Sequence, residues 1–210
     1  MHESARTLAE AATWAKSQLP LKVNDDFLYE IYILFELLHD LKNQYAIKYI
    51  EGRGDTRHHF PRKPALKSGR PRFEVLDKRS QHTLWQICAG TRIADIHGKD
   101  RAPDLSFQSP DAGDAPGYTE VIMIWDAKYK TDDRTRITMA ELSEFGWWLE
   151  VLQLRGTAKP AINLSNLVLL VSNCLITNGD KSTEPDAECL RLDLKEVHSF
   201  YPGKMFAVRP

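Results

Sequence analysis

Residues 118–129 constrain the fold of this chain most. Val121, Ile122, Ile124 and Trp125 at their centre predict a strand, and the run closes on Asp126-Ala127-Lys128. Side chains alternate along a strand, so Asp126 and Lys128 project from one face, about 6 to 7 Å apart. Asp126 ends an otherwise apolar run, where an unpaired carboxylate is costly.

The surrounding elements predict an α/β sandwich around a mixed sheet. Residues 4–18 read as a helix closed off before Pro20. Residues 26–45 read as a longer one, with Phe27, Ile31, Leu34, Leu38 and Leu41 at helical spacing. Residues 52–72, rich in Gly, Pro and Arg, read as a loop or arm. Short strands are expected at 83–89 and 92–97 around a turn at Gly90, and at 103–107. Residues 109–117, with two prolines and two glycines, form a loop or hairpin tip. A helix over 139–154 opens with Thr138 and Glu141 in capping-box spacing, and residues 166–172 follow as a buried strand. The expected organisation is an N-terminal helical extension over 1–24 and one domain over 25–210.

Composition narrows the class. Of 210 residues, 42% are hydrophobic and 27% charged, with 28 basic against 29 acidic, which argues against a disordered chain. No stretch approaches the roughly 18 consecutive apolar residues of a membrane span, so no membrane partner is expected. The first residues carry Glu3 and Glu10 without a continuous apolar core, unlike a signal peptide. Three cysteines, Cys88, Cys174 and Cys189, form no CxxC pair and fit a reducing compartment, so a cytoplasmic location is expected. Asn163-Leu164-Ser165 is a chance glycosylation match.

The even total hides an uneven distribution. Arg53, Arg57, Arg62, Lys63, Lys67, Arg70 and Arg72 crowd residues 52–72 against one acid, Asp55, giving +6, while the remainder carries −7. Such a cluster is a candidate clamp for a nucleic-acid backbone, because counterion release favours phosphate contacts; a solvated loop is the alternative. His58 and His59 read as polar loop residues.

Asp104, in Pro103-Asp104, precedes Asp126 by 22 residues. On a neighbouring strand it would bring two carboxylates and one ammonium together at the sheet's edge. Two hard oxygen ligands are what Mg²⁺ needs, with water and a substrate phosphate completing its octahedron. The lysine can then orient or deprotonate an attacking water. The long helix offers a third carboxylate: Glu30 falls inside the apolar arc, between Leu37 and Leu41, whereas Glu36 falls opposite, beside Asp40 and Asn43, and is expected to be solvated. A lone carboxylate on a core-facing stripe breaks a local rule, as functional sites do. Its alternative is to reach from the stripe's edge to a lysine or arginine.

Glu30 in the first long helix, Pro103-Asp104 and Asp126-Ala127-Lys128 at a strand end, in that order, resemble the PD-(D/E)XK nuclease superfamily. Leu28-Tyr29-Glu30, Pro103-Asp104-Leu105 and Asp126-Ala127-Lys128-Tyr129-Lys130 resemble more narrowly the nuclease subunit of McrBC-type restriction systems and its relatives. The resemblance spans roughly residues 25–173. It implies a restriction-endonuclease-like αβββαβ core, a mixed sheet flanked by helices, and a metal-dependent DNA endonuclease of restriction or anti-phage defence. It further implies Asp104 and Asp126 as metal ligands for Mg²⁺, or Mn²⁺ in its place, and Glu30 as a further ligand, direct or through water. The Ala127 carbonyl would help hold the metal, and Lys128 would position the nucleophile. An extra polar residue is expected on the following helix, with Glu141, Glu144 and Gln153 as candidates. The chain has no GxxxxGK[ST] loop, so a motor NTPase or recognition subunit would be separate, and a homodimer is an expectation by analogy. The other readings keep the site but take RNA or a cyclic oligonucleotide, or describe a nuclease-fold module that binds without cutting.

The second helix carries Phe145, Trp147 and Trp148. Phe145 and Trp148 follow the Leu142–Leu149–Leu152 face and are expected to pack on the sheet, while Trp147 lies off that face, available to another subunit. Cys88 and Cys174 are expected to be small buried hydrophobes.

Overall fold

The computed structural model describes residues 25–56, 58–156 and 162–210. The helix expected at 4–18, the extension over 1–24 and Arg57 lie outside the described residues. Among the described residues the fold is mixed α/β: an eight-stranded sheet with three helices and a separate two-stranded ribbon. The helices are α1 (Asp25–Leu41), α2 (Met139–Val151) and α3 (Asp186–Leu192). The sheet runs β1 (Ala46–Ile50), β2 (Arg72–Leu76), β3 (Thr83–Ala89), β6 (Leu105–Gln108), β7 (Val121–Lys128), β8 (Cys174–Thr177), β9 (Lys195–His198) and β10 (Ala207–Arg209). Neighbours are antiparallel from β1 to β7; β7, β8 and β9 are parallel, and β10 returns antiparallel. Parallel neighbours need a crossover, and α2 and α3 supply the two. Among the described residues no helix is long and apolar enough to cross a membrane.

Strand alternation divides the core between the two faces. Met123 and Trp125 of β7 join Phe73, Ile87 and Phe107 in one cluster with Ile33, Leu34, Leu37 and Leu41 of α1. Ile124 and Leu175 join Leu142, Phe145 and Leu149 of α2 and Leu192 of α3 in another. At the α2–α3 contact a Cβ on Gly146 would lie 2.7 Å from Leu192 Cδ2, so the helices approach through a missing side chain. Phe145 is buried and Trp148 packs partly buried beside it, as expected. Trp147 is exposed, with the Arg101 guanidinium 4.2 Å above its ring. All three cysteines are buried. The capping box forms: Thr138 N–H donates to Glu141 Oε2 at 2.7 Å and Glu141 N–H to Thr138 Oγ1 at 3.3 Å.

Several expectations give way. The first helix ends at Leu41 rather than residue 45, because Tyr45 turns in edge-on against Trp85, 4.9 Å between centroids, and the next residues form edge strand β1. The basic arm ends at β2, whose Phe73 and Val75 alternate into the core. Residues 92–97 are not a strand paired around Gly90. Only β4 (Ile93–Ala94) forms, and it pairs with β5 (Asp100–Arg101) in the ribbon. Asp95 bends the chain there, accepting from the N–H of His97 at 2.8 Å and of Lys99 at 2.9 Å, and from Arg101 Nε at 2.8 Å.

Residues 166–172 are not a buried strand either. They hold a 3₁₀ turn at Val168–Leu170 with Val168 and Leu169 exposed, and the strand begins at Cys174. The cause is Asp40, on the side of the helix opposite the apolar arc yet 2% exposed. Its carboxylate accepts from the N–H groups of Ser165 and Asn166, both at 2.8 Å, and of Leu167 at 3.2 Å, which holds the segment in a bend. Glu36 is half-buried rather than solvated, and burial raises its pKa.

Candidate active site

The antiparallel register of β6 and β7 pairs Leu105 with Trp125 and Ser106 with Ile124. Asp104 stands one residue before that pairing, outside β6, where the register continued by one step leads toward Asp126. Like charges held close across a strand pair destabilise it, and here the two share a narrow cleft with Glu30, Ile33 and Ala127. Asp104 Oδ2 accepts from the Ala127 N–H at 2.7 Å, which ties the start of β6 to the end of β7. Lys128 Nζ rests 2.6 Å from Asp126 Oδ2; Asp126 is buried, and about a quarter of the Lys128 side chain is exposed.

The electrostatics follow from this crowding. Burial, then the charges of Asp126 and Glu30, drive the Asp104 pKa well above the carboxylate range, against the Ala127 hydrogen bond and Lys128. Burial, then Asp126 and Asp26, push Glu30 up to about 7, with Lys128 opposing. Burial would lower the Lys128 pKa, yet Asp126, Asp104 and Glu144 together raise it, so the side chain is an ammonium. Fully ionised, the three carboxylates would keep two negative charges beyond what Lys128 balances.

Glu30 and Asp104, far in sequence from Asp126-Ala127-Lys128, are thus brought with them to one rim of the sheet. Among the described residues no three His, Cys, Asp or Glu side chains are arranged as a complete metal-binding group. A site with one or two carboxylates, completed by water and phosphate, is the ordinary arrangement for Mg²⁺, and the donors here are hard oxygens.

Of the polar candidates on α2, Glu144 is the one whose charge reaches Lys128. Glu141 caps the helix and pairs with Lys130 at 2.7 Å, while Gln153 lies past the helix end. Sequence reasoning missed Thr177 and Asn178 at the end of β8. Thr177 Oγ1 donates to the Lys128 carbonyl at 2.7 Å. Asn178 accepts from the Lys130 N–H at 2.7 Å and donates to its carbonyl at 2.8 Å, so the backbone after Asp126 is held on both sides. The signal was the polar Thr-Asn-Gly closing an apolar strand.

The basic arm is heterogeneous. Arg53, Arg62 and Lys63 are exposed, and the Arg62 guanidinium stacks 5.5 Å from the Phe27 ring. Arg70 is half-buried and donates to the His59 carbonyl at 3.4 Å. Arg72 is half-buried in β2. Lys67 is buried, its ammonium donating to the Ala112 carbonyl at 2.5 Å and to Gln108 Oε1 at 3.3 Å. Comparisons with protein-family models, with curated proteins and with solved structures found no match.

Proposed function

We propose that this protein is a metal-dependent endonuclease that hydrolyses phosphodiester bonds in DNA, in restriction or anti-phage defence. The observation that carries this reading is the crowding of Asp104 and Asp126, with Glu30 closing the group and Lys128 beside it. The order of α1, antiparallel β3, β6 and β7, then α2 and parallel β8 supports a restriction-endonuclease-like core.

Asp104 and Asp126 would hold Mg²⁺, or Mn²⁺ in its place, with Glu30 a further ligand, directly or through water, and the Ala127 carbonyl assisting. Once ionised, their surplus negative charge suits a hard divalent cation, which would stabilise charge on the phosphate. Lys128, held as an ammonium, donates a hydrogen bond that orients the attacking water rather than removing its proton. Thr177 and Asn178 fix the backbone from which Lys128 projects. The narrow cleft keeps bulk water from the carboxylates, so the phosphate approaches from the rim, where Lys128 is exposed.

The test is incubation of the purified protein with duplex, single-stranded and methylated DNA and with RNA, each with Mg²⁺, Mn²⁺ or chelator. Metal-dependent cleavage of DNA is expected. Cleavage confined to RNA or to a cyclic oligonucleotide would move the substrate and keep the site. A second reading, a module that binds without cutting, draws on the Lys128–Asp126 ion pair, which satisfies Asp126 without a metal. Tight binding with no cleavage under any metal would favour it.

A further inference from the structure

A second polar cavity, of about 330 Å³, opens where the basic arm returns to the sheet, between Glu51, Arg53, Lys67, Ser68, Arg72 and Asp114. The arm is closed on itself here. Arg53 N–H donates to the Ser68 carbonyl at 3.0 Å, and a Cβ on Gly52 would lie 2.6 Å from Arg70 N and from the Gly69 carbonyl oxygen. The charged walls play different parts. Lys67 is committed below the cavity to Gln108 and Ala112, and Asp114 accepts from both the N–H and the hydroxyl of Ser68. Arg53 is exposed. Arg72 keeps its Nε shut from solvent without a hydrogen-bond partner. The lining carries three cations against two acids, Glu51 and the Asp114 already held by Ser68; an unpaired guanidinium donor beside that excess calls for an anionic acceptor, and arginine meets phosphate through two parallel N–H···O bonds.

The cavity's position identifies the source of that anion. Arg72, Cys88, Ser106 and Ile124 pair in one row across β2, β3, β6 and β7. Strand alternation puts Ile124 on the same face as Asp126, so Arg72 shares that face. Three strand spacings and two residues separate Arg72 from Asp126, roughly 15 Å, or about four base pairs of duplex rise.

We infer that this cavity holds a backbone phosphate of the nucleic acid, gripped by Arg53 and Arg72 about four nucleotides from the phosphodiester at Asp104 and Asp126. The choice of a nucleic-acid phosphate rests on the endonuclease reading; the anion site itself rests on the cavity.

The experiment measures duplex binding by the full chain in chelator, by fluorescence anisotropy across a salt series, for the wild type, Arg72→Gln, Arg53→Gln and Lys63→Gln. Lys63 is an exposed cation of the same arm that does not line the cavity. Arg53→Gln and Arg72→Gln are each expected to weaken binding about tenfold and to lower the salt slope by about one, with Lys63→Gln affecting both less. Equal losses in all three variants would reveal a diffuse basic surface and overturn the inference, as would unchanged binding in both arginine variants. Saturable inorganic phosphate binding that Arg53→Gln abolishes, with duplex affinity untouched, would overturn the nucleic-acid source. If Arg72→Gln does not fold, Arg53→Gln against Lys63→Gln decides alone. Cleavage plays no part in these readouts, so a protein that never cuts sinks the endonuclease reading, while the anion site is decided by binding alone.

Discussion

Asp104, the residue just before β6, and Asp126 of β7 crowd one cleft, two carboxylates where a strand pair prefers opposite charges. Asp104→Asn keeps an oxygen to accept from the Ala127 N–H while removing one charge. In chelator at alkaline pH the variant should therefore be more stable than the wild type, by about 1 kcal/mol, and should lose metal-dependent cleavage. Thermal unfolding checks the first half; an equal loss of stability would show that the crowding carries no strain.

The same crowding sets a pH dependence. The Glu30 pKa is about 7 in the folded protein against an ordinary 4.5, so the folded state binds this proton more tightly than the unfolded one. Stability is then greatest below the ordinary value and falls as pH rises from about 4.5 to about 7. Asp104, raised for the same reasons, adds in the same direction. Chemical unfolding in chelator should show this decline, Glu30→Gln should flatten it, and Mg²⁺ should restore stability at the alkaline end.

Asp95 works with the opposite sign. Burial opposes its ionisation, but the Lys99 N–H, the Arg101 guanidinium and the His97 N–H hold its pKa down at about 2 against an ordinary 3.8. Its contribution is complete above 3.8 and is lost as pH falls toward 2. Asp95→Asn should make acid unfolding less steep in that window while leaving neutral-pH cleavage in place.

Asp40 is a structural carboxylate remote in sequence from what it holds. Asp40→Ala strands the buried Leu167 N–H and leaves those of the exposed Ser165 and Asn166 to water, and should cost about 2 kcal/mol, read as a lower denaturant midpoint. An unchanged midpoint would mean the bend at 165–167 stands without it.

The candidate site was more legible than the fold around it. Asp126 and Lys128 were found because strand alternation is local, and Glu30 because a carboxylate on an apolar stripe violates a local pattern. The register leading Asp104 toward Asp126 depends on pairing between strands 22 residues apart, so only the structure could supply it. The misread at 166–172 has a similar origin. Five apolar residues in a row carry no period, and the bend there comes from Asp40, more than a hundred residues upstream. Strands β1, β9 and β10 and the short α3 are packed against other elements rather than marked by their own pattern; β2 carries Phe73 and Val75 in alternation, hidden by the basic segment before it. In the arm, seven similar charges looked equivalent, yet Lys67 proves to be a buried fixture because Gln108 and the Ala112 carbonyl lie beneath it.

The most direct measurement is single-turnover cleavage of duplex DNA by the wild type, Asp126→Asn and Lys128→Ala, side by side in Mg²⁺ and in chelator. The wild type should cut only with the metal, and each variant should be slower by about a hundredfold or more, the equivalent of about 3 kcal/mol of lost transition-state stabilisation. Wild-type rates in either variant, or cleavage that persists in chelator, would contradict the account.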